Sequence, residues 1–131
     1  IIEDDISSHV KNFKDGSVVF LKQVKNPESF GVATLDKERV VEILEKPKNP
    51  KSDLAVVGLY IYDNSVFKKM LNQKPSSRGE YEITFVNNKY IEENKLKAVK
   101  LKKAWFDIGS FDSLLEATQY MKKKHHGKKR K

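Results

Sequence analysis

The sequence has 131 residues, of which 38% are hydrophobic and 34% charged, with no cysteine and a formal net charge of +8. That length holds one modest core. The composition excludes disulfide frameworks and thiolate metal sites, and no apolar run is long enough to span a bilayer. The charge is concentrated at one end. The last ten residues, KKKHHGKKRK, hold seven of the 26 Lys and Arg and none of the 18 acids, which leaves 19 bases against 18 acids in the body. A basic face spread over the fold is therefore not what makes the chain basic, and residues 122–131 read as a disordered basic tail behind a folded part at 1–121.

The N-terminal IIEDD is acidic where a signal peptide would be basic, so a cytoplasmic protein is the default. The chain starts at Ile1 rather than Met and reads as a segment of a longer one. In chain order, Ser17 to Val24 is β-branched and aromatic behind Asp15-Gly16 and predicts a strand. Val32 to Leu35 and Arg39 to Lys46 predict a hairpin across Asp36-Lys37-Glu38. Leu54 to Tyr62 (LAVVGLYIY) predicts a strand covered on both faces, interrupted by Gly58.

Asp63 or Asn64 reads as the N-cap of a helix to Leu71, with Val66, Phe67 and Met70 on one side. Glu80 to Glu93 carries Ile83, Val86, Tyr90 and Ile91 at helical spacing, with Glu80 as an acid at the helix N-terminus. Leu96 to Lys102 predicts a strand and Trp105 to Gly109 a tight loop. A last helix, capped by Ser110, runs from Phe111 to about Lys122 with Leu114, Leu115 and Thr118 toward the core. Strands and helices alternate without a regular βαβ rhythm, so the expected class is α/β with a mixed sheet.

Several motifs stand in a fixed order: Phe30-Gly31-Val32, Glu45-Lys46-Pro47, Ala55 to Tyr60, Pro75-Ser76-Ser77-Arg78-Gly79-Glu80 leading into Glu82-Ile83-Thr84, and Trp105 to Ser110. In that order, from Ile1 to about Met121, the chain resembles the later half of the sugar-1-phosphate nucleotidyltransferases. It is most similar to the glucose-1-phosphate thymidylyltransferase branch. The resemblance implies a partial nucleotide-diphospho-sugar transferase fold without its N-terminal Rossmann-like half.

It also implies a reaction in which a sugar-1-phosphate, here glucose-1-phosphate, attacks the α-phosphorus of dTTP or another nucleoside triphosphate. Two anions must meet, so cations have to neutralise and align them. By the resemblance, Lys46 holds the sugar phosphate and Arg78 is a second phosphate contact, a role that suits a planar guanidinium. Glu45 accepts hydrogen bonds from sugar hydroxyls. Gly31 and Gly58 let backbone amides approach the sugar, Val56 contributes a carbonyl, and Tyr60 forms a pocket wall. Asp107 is one ligand of a Mg2+ cofactor, and its partner aspartate falls just upstream of Ile1.

Read without the family, these residues are ordinary. Lys46 is a strand-end lysine, Arg78 a loop arginine, Asp107 a turn acid, and Tyr60 equally a core aromatic. Glu45 and Lys46 point to opposite faces of a strand, so one ligand can reach both only if the strand ends or twists there. Pro47 allows that. His125 and His126 have only a glycine and lysines around them and belong to the tail composition.

The sequence departs from the family in two ways. No glycine cluster forms a triphosphate-cradling loop, and Phe85 stands where the branch carries an aspartate. The reading is thus a fragment with a sugar-phosphate pocket that gives no turnover alone, from a parent whose candidate partners include further copies of itself. The alternatives are a UTP- or CTP-dependent pyrophosphorylase and a non-catalytic sugar-phosphate-binding remnant. A nucleic-acid partner is disfavoured because no strand face interleaves aromatic and basic residues.

Overall fold

The structure is a computed structural model that describes residues 1–71, 73–77 and 79–128, with side chains through residue 125. Its chain divides into two compact units, residues 6–101 and residues 1–5 with the chain from Lys102 onward. The first unit contains helix α1 (Ser7–Lys11) and strand β1 (Ser17–Gln23), then strands β2 (Gly31–Asp36), β3 (Arg39–Glu45) and β4 (Leu54–Tyr62). Helices α2 (Ser65–Leu71) and α3 (Ile83–Glu92) and strand β5 (Leu96–Lys100) complete it. Among the described residues no helix is long and apolar enough to cross a membrane.

The sheet order is β3-β2-β4-β1-β5. β1 pairs parallel with β5 and antiparallel with β4, and the β2–β3 and β2–β4 pairs are antiparallel. This is the mixed α/β sheet that the irregular alternation of elements predicts. Its central strands are the most apolar: Val19, Phe20, Leu21, Ala33, Ala55 and Val57 are fully buried. The hairpin forms as expected, closing at Lys37-Glu38 with Lys37 at φ 57°.

Gly58 marks an irregularity, as a glycine inside a strand often does. Val19 faces Tyr60 but Leu21 faces Val56, so β4 spends three residues, Val57 to Leu59, opposite Phe20 alone. A Cβ on Gly58 would meet nothing within 4 Å. The chain there borders open space.

Asp63 ends β4 and starts α2. Its Oδ1 accepts from the Ser65 amide (2.9 Å), the Ser65 hydroxyl (2.5 Å) and the Tyr90 hydroxyl of α3 (2.8 Å). Its Oδ2 accepts from the Gly16 amide at 2.7 Å, and its own amide donates to the Gly16 carbonyl at 2.9 Å. Gly16 lies at φ +79°, and a Cβ there would come within 2.4 Å of the Lys95 carbonyl oxygen. That carbonyl accepts from the Ser17 amide at 2.8 Å. Lys95 itself follows an αL stop to α3, in which Asn94 at φ 56° donates to Ile91 and Lys95 donates to Tyr90. The starts of β1, α2 and β5 and the end of α3 therefore meet around one carboxylate and one glycine.

Three helices differ from their sequence expectations. α3 starts at Ile83 rather than Glu80, because residues 80–82 are tied into the preceding loop. Ser76 donates its amide to the Glu80 carbonyl (2.8 Å) and its hydroxyl to Glu82 Oε1 (3.1 Å), and Gln73 Nε2 reaches the Glu82 carbonyl (2.7 Å). Glu80 is thus a loop residue and not an acid of the first helical turn.

In α2 only Val66 is buried, while Phe67 and Met70 are 67% and 48% exposed. Seven residues make too short an apolar pattern to fix which side faces inward. α4 (Phe111–Lys128), in the second unit, continues six residues past Lys122, beginning with Lys123 and Lys124, which are good helix formers. It buries Ala117 and leaves Leu114, Leu115 and Thr118 exposed.

Within that second unit the N-terminal acids act as backbone acceptors. Asp4 takes the amides of Lys102 (3.1 Å) and Lys103 (2.8 Å), and Glu3 takes the Ala104 amide (3.2 Å) and the Tyr120 hydroxyl (2.6 Å).

The bonds at Asp63, that from the Ser65 hydroxyl first, hold its carboxyl well below the usual carboxylate range. Because the folded value is depressed, its contribution is complete above the unfolded value of about 4 and is lost as pH falls through the folded one. Asp63→Ala removes a helix cap, orphans the Gly16 amide and leaves the Tyr90 hydroxyl with only the Ser65 hydroxyl at 3.1 Å, so it should cost about 2–3 kcal/mol near neutral pH. Urea titrations from pH 7 down to pH 2 should show the gap to wild type closing with acidification. Gly16→Ala puts an L side chain at positive φ against a backbone oxygen. It should cost at least about 2 kcal/mol in the same assay.

Candidate functional site

The β2–β3 hairpin places Gly31 directly opposite Glu45. The strand ends there, and the Lys46 amide donates to the Phe30 carbonyl at 3.0 Å. Lys46 then turns to φ 41°, a left-handed conformation that is costly for a residue with a Cβ and disfavoured further by the following proline. Strained backbone of this kind collects at functional sites. Lys46 thus leaves the strand geometry immediately after Glu45. The lysine is exposed and Glu45 half-buried.

Glu45 lies against α3. Its Oε2 accepts a 2.8 Å hydrogen bond from the hydroxyl of Thr84, which is 7% exposed, and sits 3.3 Å from where a Gly31 Cβ would be. Tyr60 is close enough that the Glu45 charge adds to burial, the larger cause, in raising its phenol above the ordinary value. Tyr60 stacks on Tyr62 (5.8 Å, 16°), and Tyr62 on Tyr90 (5.6 Å, 23°). The Tyr62 hydroxyl donates to Asn87 at 2.6 Å, and burial raises its phenol well above the usual value.

On the neighbouring strand, β4 pairs with β2 at Ala55–Val32 and then runs on past the end of the hairpin to Tyr62. Val56 lies in the sheet interior. Gly58 and Tyr60 lie along the extension, with open space beside Gly58. The structure thus brings Gly31, Glu45 and Tyr60 together and sets Lys46 at the same strand end. Arg78 lies outside the described residues. Its loop is closed by the Gly79 amide donating to the Ser76 carbonyl at 2.9 Å, with Gly79 at φ +75°.

Asp107 belongs to the second unit. It is exposed, and it follows an antiparallel pairing in which Ile1 and Phe106 exchange both backbone bonds (2.8 and 2.9 Å) and Ile2 faces Trp105. Among the described residues no group of three His, Asp or Glu could hold a metal ion. Asp107 alone is an incomplete Mg2+ site.

Phe85 is half-buried beside a cleft of about 440 Å3 between α2 and α3, with the Lys89 ammonium 5.6 Å from its ring. Lys68, Lys69 and Lys95 also line this cleft, but none of the residues carried over from the resemblance does.

Two contributors were missed in the sequence. Thr84 holds Glu45, and Asn88 binds the outer edge of β3, accepting the Ile43 amide at 3.0 Å and donating to its carbonyl at 2.8 Å. The available signal was a polar stripe of Thr84, Asn87 and Asn88 at helical spacing beside the apolar one. Residues of that kind inside a buried helix need partners.

A nucleotidyl transferase family model matches residues 1–124. The bifunctional protein GlmU of Methanocaldococcus jannaschii is 43% identical over 122 residues, 92% of this chain and 29% of that protein. Glucose-1-phosphate thymidylyltransferase of Neisseria meningitidis is 47% identical over 109 residues, 81% of this chain and 38% of that protein. A solved structure from Bacillus anthracis, described as a glucose-1-phosphate thymidylyltransferase in complex with a sucrose, superposes with a TM-score of 0.84 at 43% identity. It covers 92% of this chain and 50% of its own. A UDP-glucose pyrophosphorylase complexed with UDP-glucose superposes with a TM-score of 0.78 at 25% identity, over 95% of this chain and 52% of its own. The chain thus spans about half or less of each protein it matches. With the motif order, the mixed sheet and the family match in agreement, the chain belongs to the nucleotidyl transferase family.

Proposed function

We propose that this chain carries the sugar-phosphate-binding part of a sugar-1-phosphate nucleotidyltransferase, with glucose-1-phosphate and dTTP as substrates and dTDP-glucose and pyrophosphate as products. The observation that carries this reading is the end of β3, where a carboxylate fixed by α3 and a lysine in strained backbone stand side by side. Identity of 40–47% to glucose-1-phosphate thymidylyltransferases, against 25% to a UDP-glucose pyrophosphorylase, supports the thymidine branch, and GlmU of Methanocaldococcus jannaschii is as similar at 43%.

In the reaction, an oxygen of the sugar phosphate forms a bond to the α-phosphorus of the triphosphate. The bond from that phosphorus to the oxygen bridging to the β-phosphate breaks, and the electron pair leaves with pyrophosphate. Lys46 offsets the charge of the attacking phosphate as a point cation, and Arg78 is its proposed second contact. Glu45 accepts from sugar hydroxyls and so fixes the ring. Gly31, Gly58 and the Val56 carbonyl supply backbone near the sugar, with Tyr60 as a wall. The expectation of Mg2+ rests on the family resemblance, with Asp107 as one carboxylate ligand.

Calorimetric titration of the chain with glucose-1-phosphate should show saturable binding. Lys46→Ala should weaken it roughly 10- to 100-fold, the loss of a charge-assisted contact. Unchanged affinity in that variant would remove Lys46 from the site. No glycine-rich phosphate loop is present in the sequence. A coupled pyrophosphate assay with glucose-1-phosphate and dTTP should therefore show no turnover by the chain alone.

A further inference from the structure

We infer that Thr84 is a positioning residue for sugar recognition: its buried hydroxyl, with the bare Gly31 backbone opposite, fixes the Glu45 carboxylate so that one oxygen is committed to the protein and the other faces a ligand hydroxyl. The inference rests on the sugar-phosphate reading above.

A glutamate side chain at the end of a strand has three rotatable bonds, and ordering it on ligand binding costs free energy. Here a donor of the protein itself supplies that order. Thr84 Oγ1 donates to Oε2 at 2.8 Å from the first turn of α3, and Thr84 is only 7% exposed. The helix is itself fixed to the same hairpin through Asn88, whose amide bonds both backbone groups of Ile43, two residues before Glu45. Helix and carboxylate thus share one frame.

Gly31 completes the arrangement, because Oε2 lies 3.3 Å from its absent Cβ and a side chain there would crowd the carboxylate. A carboxylate has about four acceptor positions. Thr84 engages Oε2 alone, and the remaining acceptor positions are the ones assigned here to ligand hydroxyls. Thr84 touches no ligand in this scheme. It acts through Glu45, and it discriminates the sugar rather than the phosphate.

Two ligands separate these roles. For the full chain, Thr84→Val keeps the shape and removes the donor. It should weaken glucose-1-phosphate binding roughly tenfold while leaving affinity for inorganic phosphate unchanged, and Thr84→Ser should restore the wild-type value. In a Glu45→Gln background, Thr84→Val should have little further effect, which guards against a general loss of structure. NMR side-chain couplings of Glu45, measured without ligand, should change from one rotamer to an average in Thr84→Val.

Equal loss for both ligands, an unchanged glucose-1-phosphate affinity, or unaltered Glu45 couplings would each overturn the assignment. If the wild-type chain binds no glucose-1-phosphate, the proposed function falls. The couplings then still decide whether Thr84 fixes Glu45.

Discussion

One carboxylate organises the larger unit. Asp63 collects donors from Gly16, Ser65 and Tyr90, and so ties the entrance of β1, the first turn of α2 and the last turns of α3 to the end of β4. Removing it would leave several polar groups without an acceptor at once, which is why its effect should exceed that of an ordinary helix cap. Tyr90 shows the same coupling from the other side. Burial, first, and then contact with the Asp63 carboxylate push its phenol up to about 12, so the neutral hydroxyl persists as a donor. The Lys69 ammonium lies 4.6 Å from the Tyr90 ring centroid and pairs with Glu93 at 2.7 Å. The junction is therefore electrostatically closed on its solvent side.

The strands were legible because β-branched runs bounded by Gly, Pro and Asp leave little choice, and the cap of α2 was legible, as Asp63 or Asn64, for the same kind of local reason. What the sequence hid depends on partners distant in the chain. The start of α3 is set by Ser76 and Gln73 holding residues 80–82 in a loop, which no helical period within 80–93 could reveal. The inward side of α2 is set by Val66 alone. Thr84 and Asn88 look like neutral helix residues until β3 is placed beside them. At the end of β3, the proline hinted at where the strand stops, after Glu45. The left-handed turn of Lys46 is a backbone property that only coordinates supply.

The site also shows how a weak motif gains meaning. Glu-Lys-Pro is common, yet here each residue has a separate mechanical part. Glu45 is the last member of the ladder and is fixed by a helix. Lys46 breaks from the pleat, and Pro47 restricts the route the chain takes away from it. Two oppositely charged groups that alternation would have sent to opposite faces are thereby presented at one strand end.

The irregularity at Gly58 has a consequence in counting. β4 carries two residues more than β1 between their flanking pairs, Val19–Tyr60 and Leu21–Val56. Because side chains alternate with a period of two, an excess of one would have exchanged the two faces of every residue beyond it, whereas an excess of two conserves parity. The chain thus lengthens locally and opens space beside Gly58 without turning Tyr60 and Tyr62 away from α3. Loss or gain of residues at this point is therefore tolerable only in pairs, and a single-residue deletion would send the aromatic stack to the opposite side of the sheet.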